Sequence, residues 1–250
     1  MISAPPENVY ATSKKIKFIQ KWIRMHSEKL ERKIRVLDFG CGNGEELARF
    51  IIGSQIDYVG VDIHEPSLNH ARSELGGDNA VFASQIPKDQ TFDVIVLSEV
   101  LEHLDDPVAV LNELVTSLND DGIVVGSVPN GYGLTEIEKY IDAKLKIYPA
   151  LRWVKRTISG RAAGDASVVK IPYNYESGHV QFYTKFSLRR VVRAAGLEIK
   201  DFQNGSFMGA DLSGATIFTW KKLIAINTWV ADFLPFWAAA TWHFVLCKKI

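Results

Sequence analysis

Three glycines at alternate positions, Gly40, Gly42 and Gly44, follow a short apolar run and precede an expected helix. Glycine lets a backbone turn tightly and approach a ligand closely. Asp62 ends the next apolar run, and an acid there can accept hydrogen bonds from both hydroxyls of a ribose. Loop and acid together suit a nucleoside-containing cofactor. Asp38 narrows the choice. A pyrophosphate at this helix N-terminus would be repelled by that carboxylate, whereas an α-ammonium would be attracted. A dinucleotide loop also wants a third glycine at position 45, where Glu45 stands. The residues therefore favour S-adenosylmethionine over NAD.

A second group is Glu99, Glu102 and His103, in the pattern Glu-x-x-Glu-His just after the fourth expected strand. Spacings of three and four place side chains on one side of a helical turn. Two carboxylates and an imidazole suit a divalent ion; oxygen-rich ligation points to Mg²⁺ or Mn²⁺, and histidine also permits Fe²⁺ or Zn²⁺. His179 is placed to close over the same pocket. The metal candidates are Glu99, Glu102, His103 and His179. The competing reading needs no metal: Glu102 caps a helix, and His103 lines the pocket or acts as a general base. His103 and His179 are the catalytic candidates.

The positioning elements follow from periodicity. Residues 9–32 read as a helix with Ile16, Ile19, Trp22 and Ile23 on one side. Strands are expected at Ile34–Phe39, Tyr58–Asp62, Ala80–Ala83, Phe92–Leu97 and Ile123–Val128. Helices are expected at Glu45–Ile52, at 66–75 with Pro66 in its first turn, and at Pro107–Leu118, followed by a turn at Asp120-Asp121-Gly122. Thr184–Ala195 reads as a helix with Thr184 as N-cap and Gly196 as its stop, between two late strands, Leu197–Phe202 and Thr241–Lys248. Alternating strands and helices imply a doubly wound, parallel α/β sheet. The expected organisation is one domain over 1–250. Residues 1–33 form an N-terminal helical segment and 34–129 a cofactor-binding core. Residues 130–178 form a lid or acceptor insertion, and 179–250 complete the sheet, with a helical insertion at about 205–240.

Val36-Leu-Asp-Phe-Gly-Cys-Gly-Asn-Gly44 resembles the first motif of class I S-adenosylmethionine-dependent methyltransferases, and Val59-Gly-Val-Asp-Ile63 resembles their second. Phe92–Leu104 is similar to their fourth-strand segment, and Asp121-Gly122 to the turn into strand five. The resemblance implies a Rossmann-like seven-stranded sheet, mostly parallel with an antiparallel last strand, and insertions after strand five and between strands six and seven. It also implies cofactor contacts near Asp38, Gly40, Gly42, Asp62 and Ile63. The loop residues Cys41, Asn43 and Gly44 and the strand-four tip, Ser98 and Glu99, complete that set. Many members carry an adenine-binding acid after strand three. Here Phe82-Ala-Ser-Gln-Ile-Pro87 offers Ser84 or Gln85 instead. Glu99–His103 resembles an element of small-RNA 2′-O-methyltransferases and of ubiquinone-biosynthesis O-methyltransferases, and in those families it implies metal coordination beside a hydroxyl. The segment from Gly178 is similar to methyltransferases encoded with surface-polysaccharide enzymes.

The acceptor is left to the insertions. Lys139, Lys144, Lys146, Arg152, Lys155, Arg156, Arg161 and Lys170 suit an anionic acceptor or a solvated face. Trp220, Trp229, Phe233, Phe236 and Trp237 read as core, with a pocket lining or a membrane anchor as alternatives. Leu223–Leu246 is long and apolar enough to span a bilayer, but it carries Asp232 and His243, and Pro235 splits it, so it reads as buried core. Twenty-nine basic against 29 acidic residues argue against nucleic acid. Two cysteines without metal-type spacing and the absence of a signal-peptide pattern fit the cytoplasm, with peripheral membrane contact as an addition. The expected function is O-methylation of a small molecule, a glycan or a lipid-linked intermediate. The alternatives are a metal-dependent RNA ribose 2′-O-methyltransferase and a non-catalytic binding module of the same fold.

Overall fold

The computed structural model describes residues 1–147, 150, 172, 178–209, 213, 217 and 220–249. Its described strands form a seven-stranded sheet in the order β3-β2-β1-β4-β5-β7-β6. These are β1 (Ile34–Phe39), β2 (Ile56–Val61), β3 (Ala80–Ala83), β4 (Phe92–Ser98), β5 (Leu118–Pro129), β6 (Leu197–Asn204) and β7 (Thr241–Lys248). β1 to β5 pair parallel, and β7 runs antiparallel between β5 and β6.

Both faces of the sheet are covered, which explains the unbroken apolar runs of the central strands. Along β4, Ile95 and Leu97 join one core while Val94 and Val96 join the other. α1 (Thr12–Leu30), α2 (Ala48–Ile51) and α3 (Glu65–Leu75) supply the second core with Ile16, Ile19, Ile51 and Leu68. α4 (Pro107–Thr116) and α6 (Lys185–Ala194) supply the first with Leu111, Leu114, Leu188 and Val192. α5 (Leu134–Leu145) lies between β5 and α6 in the chain, and α7 (Lys221–Ala231) between β6 and β7.

Local signals account for the element ends. Asp106 caps α4 by accepting from the Ala109 N–H at 2.9 Å. Thr184 and Ser187 form a reciprocal capping box on α6, and Gly196 follows that helix with φ +71°.

Three expectations change. The helix over Glu45–Ile52 shrinks to the single turn of α2, because Glu45–Leu47 remain in the loop turn. Asp120-Asp121-Gly122 is not a turn between elements. Leu118 already pairs with Phe92 and Ile123 with Val94, so these residues bulge from a continuous strand. The late aromatics are mostly outside the core. Trp220, Trp229, Phe233 and Trp237 are exposed, and only Phe236 packs against the buried cluster. The apolar stretch from Leu223 does divide, with α7 ending at Ala231, a 3₁₀ turn at Phe236–Ala238, and then β7. Among the described residues no helix is long and apolar enough to cross a membrane.

Candidate cofactor and catalytic site

A cavity of about 680 Å³ opens at the carboxyl ends of β1, β2 and β4, within the roughly 300–1,000 Å³ usual for small-molecule sites. Its wall includes Asp38, Gly40, Cys41, Gly42, Asn43, Asp62, Ile63, Ser84, Gln85, Ser98, Glu99 and His103. Apart from His103, a catalytic candidate, these are all but one of the residues expected to bind cofactor.

The exception is Gly44. A Cβ there would stand 2.7 Å from Leu75 Cδ1 and 3.2 Å from Ala48 Cβ. Gly44 therefore lets α2 approach α3, a packing role rather than a ligand contact. Gly40 and Gly42 have φ +79° and +55°, a region costly for residues with a Cβ. At Gly40 a Cβ would also meet Val100 Cγ2 at 2.6 Å, whereas at Gly42 it would meet nothing within 4 Å.

Two acids are held by different partners. Asp62 accepts from the Gly42 N–H and the His64 N–H, both at 2.8 Å, so its carboxylate is fixed at the cavity edge. Asp38 is 1 % exposed, and burial pushes its carboxyl up to about 7. The Tyr58 hydroxyl, donating to Asp38 Oδ2 at 2.7 Å, and the Lys15 charge hold it below where burial alone would leave it. Asp93 makes the contrast. Burial raises it too, but the Arg32 fork at 2.7 and 2.9 Å, the Arg35 N–H and the Asn119 amide outweigh burial and hold it low. Asp38 lacks such a fork. It is a carboxyl with one face toward the cavity and its charge incompletely balanced.

Lys15 and Glu46 were not anticipated. Lys15 projects from α1 and pairs with Glu46 Oε1 at 2.7 Å. Burial alone would depress the ammonium, but Glu99, Glu46 and Glu102 outweigh burial and raise it, so it stays charged. One signal was available. Lys15, Ile19, Ile23 and His26 share the buried side of α1, so the lysine sits in register with the apolar stripe. Tyr58 was read only as part of a strand.

The second group forms around a 3₁₀ turn, Leu101–His103. Glu99, just before it, adopts φ +56°, and a non-glycine residue in that region is a frequent mark of functional sites. The segment from Gly178 docks on the turn. The N–H groups of Val180 and Gln181 donate to the Glu102 carbonyl at 2.8 and 2.9 Å, and the Tyr183 hydroxyl donates to the Leu101 carbonyl. This docking sets His179 edge-on to His103, with ring centroids 4.9 Å apart. His103 Nδ1 lies 3.0 Å from the Gly178 carbonyl, which can only accept. Nδ1 therefore donates in this contact, and Nε2 lies 3.9 Å from Glu102 Oε1.

Among the described residues, the ligand atoms of Glu102, His103 and His179 lie within 4.8 Å of one another. Glu99 is outside this cluster and lines the cavity instead. Its left-handed backbone turns it away from the helical face assumed for the motif. The donor set is thus two imidazoles and one carboxylate, and the oxygen-rich argument for Mg²⁺ no longer applies.

Pro172, between α5 and α6, reaches the glycine loop. Its carbonyl accepts from the Asn43 amide at 2.9 Å and from the Ser67 hydroxyl at 3.3 Å. Of the basic residues expected to meet an acceptor, Lys144 and Lys146 are exposed on or beside α5. The Lys139 side chain and Arg152, Lys155, Arg156, Arg161 and Lys170 lie outside the described residues.

A family described as a methyltransferase domain matches residues 11–201. The ubiquinone biosynthesis O-methyltransferase of Acinetobacter baylyi is 30 % identical over 118 residues, 44 % of this chain and 49 % of that protein. That of Colwellia psychrerythraea is 27 % identical over 156 residues, 56 % and 60 % respectively. The chain thus spans about half the length of the curated relatives it matches. An S-adenosylmethionine-dependent methyltransferase from Clostridium acetobutylicum superposes with TM-score 0.58 at 12 % identity, covering 94 % of this chain and 92 % of that one. Magnesium protoporphyrin IX methyltransferase from Synechocystis, solved with bound SAH, superposes with TM-score 0.54 at 13 % identity, covering 96 % and 84 %. At these identities the two structures speak to the fold alone.

Proposed function

The chain belongs to the methyltransferase domain family, and from that premise we propose that it transfers a methyl group from S-adenosylmethionine to a hydroxyl oxygen of a small molecule, sugar or lipid-linked intermediate. The observation that carries the oxygen acceptor is the Glu102–His103–His179 cluster beside the cofactor cavity. Relatives named as O-methyltransferases, matched over about half of their length, support the same reading.

The residues fit the cofactor. Its sulfonium supplies an electrophilic methyl group, so the protein has to position the two reactants and take up the acceptor's proton. Asp38 meets the α-ammonium of the methionine part. Asp62, held by two N–H groups, has lone pairs left for the ribose hydroxyls. Ile63, 87 % exposed at the cavity wall, would offer an apolar surface to a flat base, and Ser84 or Gln85 would supply polar contacts to it. His103 Nε2 takes the hydroxyl proton, and the Glu102 carboxylate stabilises the imidazolium that results. The test is a screen of hydroxylated acceptors with methyl-labelled cofactor. Label on nitrogen or carbon only, or no transfer to any hydroxyl, overturns the reading.

Asp38 makes cofactor affinity pH-dependent. A carboxyl raised to about 7 is neutral below that pH and ionised above it. Only the ionised form attracts an ammonium, so affinity falls about tenfold per pH unit on the acid side of neutrality. Tyr58→Phe removes a hydrogen bond that favours the ionised form, so the same fall begins at higher pH. Calorimetric titration with the cofactor across neutrality checks both; an affinity flat with pH in the native chain contradicts the role of Asp38.

A second reading has one observation in its favour. The proximity of Glu102, His103 and His179 also suits a divalent ion, and two imidazoles with one carboxylate fit Zn²⁺, Fe²⁺ or Mn²⁺ better than Mg²⁺. Such an ion would lower the pKa of the acceptor hydroxyl. The base reading expects full turnover in EDTA. Loss in EDTA that Mn²⁺ or Zn²⁺ restores would move the assignment to the metal.

A further inference from the structure

α7, in the insertion between β6 and β7, turns an apolar stripe outward. Lys222, Ile226, Trp229 and Phe233 recur at spacings of four, three and four, so they share one side of α7 and the turn after it. Ile226 is 50 %, Trp229 62 % and Phe233 72 % exposed, with the Trp229 and Phe233 rings 4.9 Å apart. Trp220 before the helix and Trp237 after it are exposed as well.

The inward side is held by polar contacts. Asn227, 2 % exposed, donates to the Val9 and Met208 carbonyls. Asn204 donates to the Ala231 and Leu234 carbonyls at 2.8 and 2.9 Å. Lys14 donates to the Thr228 carbonyl and pairs with Asp232 at 2.6 Å. α7 is therefore already anchored, and its aromatic stripe has no place in the core.

Charge complements the stripe. Lys221 and Lys222 are both exposed, and Asp232, the one acid from 221 to 233, is paired with Lys14. An aromatic stripe flanked by lysines suits an interface that is apolar inside and anionic at its edge. The location agrees. Asn204 ends β6 and pairs with Trp242, while Thr241 starts β7 and pairs with Pro129 at the end of β5. The insertion thus emerges at the carboxyl edge of the sheet, the edge that carries Asp38, Asp62 and Glu99.

We propose that this face seats in the headgroup region of a bilayer containing anionic phospholipid. Trp229, Phe233 and Trp237 enter the acyl boundary, and Lys221 and Lys222 meet lipid phosphates. The proposal goes beyond the methyl-transfer reading and can fail without it, since it concerns where the catalytic edge is held and not which hydroxyl is methylated.

The test is co-sedimentation of the full chain with vesicles of phosphatidylcholine alone and of phosphatidylcholine mixed with phosphatidylglycerol, following tryptophan emission in parallel. Binding to the mixed vesicles with a blue shift is expected, weakening as salt is raised. Lys221→Glu with Lys222→Glu should weaken it at least tenfold, since each basic residue near an anionic surface contributes roughly a fivefold factor. Trp229→Ser with Phe233→Ser should abolish it while leaving cofactor affinity unchanged, which shows that the variant is folded. No binding to either vesicle overturns the proposal, as does equal binding to both. A chain that forms a dimer dispersed by Trp229→Ser and Phe233→Ser, without binding vesicles, overturns it in favour of a self-interface.

Discussion

His103→Ala should lower kcat/KM for methyl transfer by about 10²–10⁴-fold, the usual contribution of a positioned general base. The Gly178 carbonyl engages Nδ1, so Nε2 is the nitrogen left to act as the acceptor. Removing the imidazole leaves Glu102 in place but 0 % exposed, where it is poorly able to reach an acceptor. His103 also lines the cavity, so cofactor affinity should change, but by less than tenfold. His179→Ala separates the two readings. Under the base reading its cost is much smaller than that of His103→Ala, whereas an ion held by both rings makes the two losses alike. Added imidazole should restore part of the activity of His103→Ala. Turnover unchanged in His103→Ala removes the residue from the chemistry altogether.

Asp38→Asn should act on binding and stability in opposite directions. Losing a charge-assisted contact to the ammonium should raise the cofactor Kd by roughly 10–150-fold, with kcat at saturation little altered. The empty protein should become more stable in neutral and alkaline solution. A carboxyl whose folded pKa is raised from 3.8 to about 7 costs stability progressively as pH rises between those values, and the full cost persists above them. Asparagine carries no such cost, and its carbonyl still accepts from the Tyr58 hydroxyl. Thermal unfolding of the empty protein should therefore favour Asp38→Asn above neutrality, with the difference shrinking toward pH 4 and below. A variant that binds as tightly as the native chain, or that is less stable at alkaline pH, contradicts this account.

What could be read from the chain depends on how far apart the cooperating residues lie. Asp38 stands near the end of β1, just before the loop of Gly40 and Gly42 begins, and Asp62 directly follows the adjacent β2, so their joint chemistry is visible in short motifs. β1, β3 and β7 were also readable end to end, as compact apolar runs bounded by loop signals. Lys15 and Tyr58 act on Asp38 from a different helix and a neighbouring strand, and no local pattern joins them to it. Glu99 lines the cavity but leaves the metal cluster, because the backbone there is left-handed and not helical. The aromatics near α7 were assigned to the core on composition. The inward side was already taken by Asn227 and by the hydrogen bonds of Asn204 and Lys14, which composition does not reveal.

Those hydrogen bonds bear on how such a protein diversifies. Asn204 holds the Ala231 and Leu234 carbonyls, Asn130 holds those of Trp237 and Ala239, and Lys14 holds those of Gly205 and Thr228. Every one of these grips is on main-chain oxygen, which all amino acids share. The scaffold therefore fixes the path of α7 and of the chain that follows it to β7 without constraining most of their side chains. Mutations along its outer side can accumulate, or a related segment can be grafted in, while the cofactor loop stays undisturbed. Selection for new acceptors and new docking partners can proceed on this module independently of the methyl-donor machinery.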